Sequence, residues 1–153
     1  MRVLKDKMKF IILIFFLFSQ SLVFGAGSSS SIDTNQEYSN AEYLIKSEKY
    51  EKAIKALTKL LSETPNGYTK ADLYNYLGYA TRKQKNPDFD LAEKHYLKAL
   101  DLDSDHIGAL EYIGELYYET DRKDKAFEML MRLKEVAGDE SEEYLELYEI
   151  LNS

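Results

Sequence analysis

From Thr34 onward, small and large apolar residues recur at spacings that set out successive pairs of helices. Ala41 and Ala53 stand twelve apart, as do Gly114 and Ala126, while Gly78 and Ala92 are fourteen apart. Larger apolar residues accompany each pair at matching offsets. They are Leu44, Leu57 and Leu60 in 34–67, then Tyr74, Leu77, Tyr96 and Ala99 in 71–106, then Leu110, Ile113, Tyr117, Leu130 and Leu133 in 107–140. Aligned this way, the stretches share a unit of about 34 residues with a small residue at position 8 and alanine at position 20. Pro65 is expected to end the second helix of the first unit, because proline cannot continue a helix. Asn86-Pro87-Asp88 adds two residues to the turn of the second unit. Tyr68-Thr69-Lys70 is an insertion between the first two units, expected to alter loop geometry and leave the helix pairs unchanged. Beyond the third unit, Tyr144, Leu147, Tyr148 and Leu151 recur at helical spacing among Glu142, Glu143, Glu146 and Glu149, predicting a final amphipathic helix over 141–153.

Leu77-Gly78-Tyr79, the run from Ala92-Glu93 to Ala99-Leu100, and Ala109-Leu110 through Gly114-Glu115-Leu116-Tyr117 carry a resemblance to the tetratricopeptide-repeat (TPR) family, which extends from Thr34 to the C-terminus. The resemblance implies an all-α, right-handed solenoid of three helix-turn-helix repeats (34–67, 71–106 and 107–140) and a C-terminal capping helix. In that family the small residue at position 8 and the alanine at position 20 lie where the two helices approach most closely, and a larger side chain would push them apart. One helix pair cannot bury its apolar face alone, whereas about three stacked pairs with a polar-faced cap can. The first repeat departs from the family by carrying Glu37 at position 4, and Ser104 and Gly138 stand where proline is common. The chain also resembles short exported bacterial TPR proteins that end in an acidic Glu-Glu-Tyr helix. Two cysteines common in that group align with Ala137 and Ser141, so functions tied to those thiols are not implied.

The first 25 residues follow another pattern. Arg2, Lys5, Lys7 and Lys9 precede an unbroken apolar run from Phe10 to Phe18, which Ser19-Gln20-Ser21 interrupts before Leu22-Val23-Phe24-Gly25-Ala26-Gly27. This order is that of a secretory signal peptide, with cleavage after Gly25 or after Gly27. Residues 10–24 are too few for the ~20 apolar residues of a spanning helix, so no stable membrane anchor is expected after cleavage. Residues 26–33, with Gly-Ser-Ser-Ser-Ser at 27–31, read as a flexible tether. Periplasmic or secreted localisation in a bacterium is the corresponding expectation.

Charge and composition narrow the chemistry. The net charge is −7, and without residues 1–25, which hold four basic and one acidic residue, it becomes −10. That argues against a nucleic-acid partner, since phosphates need a basic face. The absence of cysteine removes disulfides, thiolate metal sites and thiol nucleophiles. Asp101-Leu102-Asp103-Ser104-Asp105 begins like a calcium loop, but His106 and Tyr112 stand where glycine and glutamate are needed. It reads instead as a turn, with Asp105 a candidate cap for the next helix. His95 and His106 lack a partner at metal-ligand spacing, and no hydrolase, zincin or phosphate-loop motif occurs. No cofactor and no catalysis are expected.

The resemblance places the binding groove on the first helices, with positions 2, 5, 9, 12 and 13 facing it. The candidate partner-binding residues are Tyr38, Glu42, Asp72, Asn75, Tyr79, Arg82, Glu111, Glu115, Tyr118 and Glu119. Ile45 holds the remaining position 12. Tyr74, Tyr96 and Tyr117 hold packing positions, while Tyr79 and Tyr118 suit either recognition or packing between repeats. Chaperone-binding TPRs clamp a C-terminal carboxylate with basic residues and Asn, but the corresponding positions here are Tyr38, Glu42, Gly108 and Tyr112. The groove is therefore expected to be tyrosine-rich and acidic toward the third repeat, suiting a protein or peptide with apolar and basic features. The expected role is an exported adaptor. The alternative is a structural or accessory subunit of a larger envelope assembly, acting through the convex face or terminal helix.

Overall fold

The computed structural model describes residues 33–153. The basic start, the apolar run and the tether up to Ile32 lie outside them. Seven α-helices and no strand occur among the described residues: α1 Thr34–Lys46, α2 Tyr50–Leu60, α3 Lys70–Lys83, α4 Phe89–Leu102, α5 Ile107–Glu119, α6 Lys123–Ala137 and α7 Glu142–Leu151. Helices α1 and α2, α3 and α4, and α5 and α6 pack in pairs, and each pair also packs on the next element. Turns this short between contacting helices make each pair antiparallel. Helix α7 packs against both members of the third pair.

The repetition extends to the backbone. Lys49 N–H donates to Leu44 O at 2.8 Å, and Arg122 N–H donates to Tyr117 O at 2.7 Å. Glu48 N–H donates to Ile45 O, and Asp121 N–H to Tyr118 O. Glu48 (φ 56°) and Asp121 (φ 59°) both take the left-handed conformation that closes this type of turn. The first and third turns are thus one structure used twice. The second, lengthened by Asn86-Pro87-Asp88, instead ends α3 at Lys83 and starts α4 with the Asp88 carboxylate accepting from Leu91 N–H at 2.9 Å.

Two apolar clusters form the interior. One joins Ala41, Ala53, Leu57 and Leu60 to Leu73, Leu77 and Ala80 of α3. The other gathers Ala92 and Tyr96 of α4 with Leu110, Ile113, Leu116, Leu130, Leu133 and Leu147. The position-8 and position-20 residues are all buried, but the glycines make room chiefly for large side chains. A Cβ on Gly78 would stand 2.6 Å from the Tyr96 ring, and one on Gly114 would stand 2.6 Å from a Leu147 methyl. Tyr96 and Tyr117 are buried as their packing positions require, while Tyr74 is half-buried and stacks on His95.

Three local expectations are corrected. Helix α2 ends at Leu60, before Pro65, because Leu61, Ser62 and Glu63 N–H groups turn to carbonyls three residues back. The cap of α5 is His106, not Asp105: His106 Nδ1 accepts from Ala109 N–H at 3.1 Å. The insertion at residues 68–70 is built into the fold. Tyr68 is buried and stacks on Tyr38 at 4.6 Å, Thr69 caps α3, and Lys70 is its first residue.

Candidate functional site

Residues one helical turn apart share a face. Glu42, Ile45 and Lys46 on α1 do so, as do Tyr76 and Tyr79 on α3. These residues, with Glu48 in the first turn, Tyr50 at the start of α2 and Tyr112 on α5, line a cavity of about 290 Å³. Tyr79 meets Tyr112 at 4.9 Å between ring centroids and Tyr50 at 6.2 Å, with the rings inclined by 49° and 64°. The Tyr76 hydroxyl donates to Glu42 Oε1 at 3.4 Å. Burial pushes the Tyr76 hydroxyl up, and the Glu42 charge pushes it further. Burial also raises Tyr112, followed by the carboxyl of Glu111. Both phenols stay neutral at ordinary pH.

Of the ten residues expected at the groove, only Glu42 and Tyr79 line this cavity. Asn75, Arg82 and Glu111 are buried, at 6%, 2% and 3% exposure, so they form the floor and offer a partner little contact. The cause is tertiary: the following first helix covers residues that an isolated pair would expose. Glu115 and Glu119 are committed to Arg82, whose Nη2 donates to Glu115 Oε2 at 2.6 Å and whose Nη1 donates to Glu119 Oε1 at 3.4 Å. Asp72 caps its own helix: its Oδ2 accepts from Thr69 N–H at 2.6 Å and from the Thr69 hydroxyl at 2.8 Å. Its Oδ1 lies 3.1 Å from His106 Nε2. Because His106 Nδ1 accepts from Ala109, the ring proton belongs on Nε2 and is donated to Asp72. Tyr38 stacks on Tyr68, and Tyr118 packs on the second cluster beneath Lys123 Nζ, 5.6 Å from its ring.

At the third repeat Glu115 and Glu119 share Arg82, and Glu143 and Glu146 of α7 add their charges beside Glu111. Burial, then a hydrogen bond with Glu146 and the charge of Glu115, push the Glu111 carboxyl up to about 9, so it is uncharged at neutral pH. Arg82 offsets the carboxylates below it. At the first pair Glu42 and Glu48, neither in an ion pair among the described residues, line the cavity together with Lys46. Tyr50, Tyr76 and Tyr112 line the cavity without being among the ten expected residues. Tyr76 and Tyr112 share repeat position 6, a coincidence in the sequence that could have marked them, whereas Tyr50 lies on a second helix and carries no such signal.

Two other hollows, of about 280 and 370 Å³, are lined by charged residues of the matching first and third turns. The first adds Gln84 and Lys85 and has Tyr50 as its one aromatic residue, and the second has none. No helix among the described residues is long and apolar enough to cross a membrane. No protein-family model matches the chain, and no curated protein matches it.

Proposed function

We propose that the chain is an exported adaptor of the TPR type, a non-catalytic module that holds a partner protein or peptide in the groove formed by its first helices. The tyrosine-walled cavity carries this reading. Large rigid rings half-open to solvent offer contact area with little side-chain entropy to lose, which suits recognition. The helix pairs with their matching turns support the TPR assignment, and the apolar run behind a basic start supports export. Affinity capture from the native envelope tests the adaptor role. Wild-type protein should retain a defined partner, and Tyr79→Ala combined with Glu42→Lys should release it. Retention by the double variant would move the interaction off this face. Fusion of residues 1–30 to an export reporter tests the compartment, and a reporter left in the cytoplasm would refute export.

A second reading, a subunit of a larger assembly, draws on another surface. Leu145 and Tyr148 on α7 and Phe127 and Met131 on α6 are each about half exposed. Apolar side chains left open on terminal helices suit stacking against another protein or another copy. Light scattering of the purified chain separates the readings: a stable oligomer favours assembly, and a monomer favours the adaptor.

A further inference from the structure

Resting on the groove reading above, we infer that the tyrosine-walled cavity receives a single cationic side chain of the partner, an ammonium or guanidinium group on an aliphatic stem. Its volume of about 290 Å³ lies at the lower edge of ligand clefts, roughly 300–1,000 Å³, and suits one inserted side chain better than a cofactor. Four of the eight lining residues are tyrosines. The Tyr50, Tyr79 and Tyr112 rings are inclined at 64° and 49° in sequence, so they do not close on one another as a stack. Aromatic faces around a small space are the arrangement that attracts a cation through the ring quadrupole.

The cavity's own charges agree. Glu42 and Glu48 enter it against one lysine, Lys46, and neither is in an ion pair among the described residues. An incoming carboxylate or phosphate would meet both. An uncharged apolar side chain would dehydrate Glu42 without compensation, whereas a cation gains from both the carboxylate and the rings. Ile45 supplies an apolar wall for the stem.

These rings already attract cations within the protein. The Arg82 guanidinium carbon lies 5.8 Å from the Tyr79 ring and 6.0 Å from the Tyr112 ring, and Lys83 Nζ lies 5.8 Å from Tyr79. Arg82 is buried and does not line the cavity, so it leaves the space open, and its charge is offset by Glu115 and Glu119.

The test is titration of the full chain with capped Ala-Ala-Lys-Ala-Ala, its arginine, norleucine and glutamate versions, and tetramethylammonium, followed by calorimetry and by the tyrosine ring resonances. Lysine and arginine peptides should shift the Tyr50, Tyr79 and Tyr112 signals, and tetramethylammonium should shift the same set. Norleucine should bind at least about ten-fold more weakly and glutamate not detectably. Glu42→Gln should weaken lysine-peptide binding several-fold with helix content unchanged. Tyr50→Leu should do the same, and it avoids Tyr112, which packs on the second apolar cluster. Norleucine binding as tightly as lysine would overturn the cation site while leaving the groove reading intact. Wild-type affinity in both variants, or no ring shift with any cation at millimolar concentration, would also overturn it. Partner capture then decides the groove reading separately.

Discussion

Where the first pair meets the second, Tyr50 of α2 and Tyr76 and Tyr79 of α3 stand half-buried around open space. At the third pair, α7 lies against α5 and α6, and Leu147 is wholly buried over Gly114. Position 9 of each repeat stays partly accessible throughout, as Glu42, Tyr79 and Glu115, while position 5 sinks from half-buried Tyr38 to buried Asn75 and Glu111. The same kind of helix pair thus gives a receptive surface where α1, α3 and α5 leave a cavity and a closed interior where α7 lies over α5 and α6. Whether a groove residue is available depends on the neighbour laid over it as much as on its place in the repeat.

The largest effect should come from Arg82→Ala. Arg82 lies beside the Tyr79 ring of the cavity and pairs with Glu115 of α5, its side chain has no exposure, and its removal leaves Glu115 without its cation. Breaking such a pair is expected to destabilise by about 3–5 kcal/mol, read by urea denaturation. A loss below 1 kcal/mol would mean that the open and closed regions are energetically independent at this point.

Leu147→Ala should follow, at about 2–5 kcal/mol. It removes the side chain over Gly114 and loosens α7. Hydrogen exchange should then rise in α5, α6 and α7 while α1 and α2 keep wild-type protection. A uniform rise along the chain would erase the distinction between the regions.

Glu111→Gln tests the closed end by pH. The Glu111 carboxyl ionises near 4.5 when unfolded and near 9 when folded, with burial the main cause. Between these values the folded chain binds the extra proton. Its stabilising contribution is therefore full below about pH 4.5 and is lost as pH rises through 9. Wild-type stability should decline from pH 5 toward pH 9 relative to Glu111→Gln, whose neutral amide faces Glu146 without that penalty. At pH 8 the variant's Tm should be higher by several degrees. Parallel pH profiles would show that Glu111 is solvated and the end is open.

Tyr50→Leu should have the smallest stability effect, roughly 0.5–1.5 kcal/mol, because its ring is only partly buried and meets Tyr79 edge-on. A loss as large as that of Leu147→Ala would make the open end part of the core.

Much of the helical order was legible in the sequence, because it follows from spacing within each segment. Ala41, Ala53, Ala92 and Ala126 mark buried contacts, and Tyr144, Leu147 and Leu151 announce the last helix, with Leu147 alone of these fully buried. The site was less legible. Asp72 had the right position, but Thr69 and His106 claim both its oxygens. Arg82 and Glu111 carry charges that suggest exposure, yet α5 and α7 supply the partners that let them sink. Tyr50 comes into the cavity from a second helix, outside the groove positions of the first helices. Local pattern reports which face a residue takes. It does not report what will later cover that face.

The polar links between successive first helices have a consequence for how the chain folds. Tyr76 to Glu42 and His106 to Asp72 each span 34 residues, and Arg82 reaches Glu115 and Glu119 across 33 and 37. Each closes a loop about one repeat long, so the entropy of closure is nearly the same at every step and does not grow with the chain. Contacts of such limited sequence reach favour rapid folding, and they allow assembly to start at one pair and spread to its neighbours. An added repeat would extend that process by one more step of the same kind.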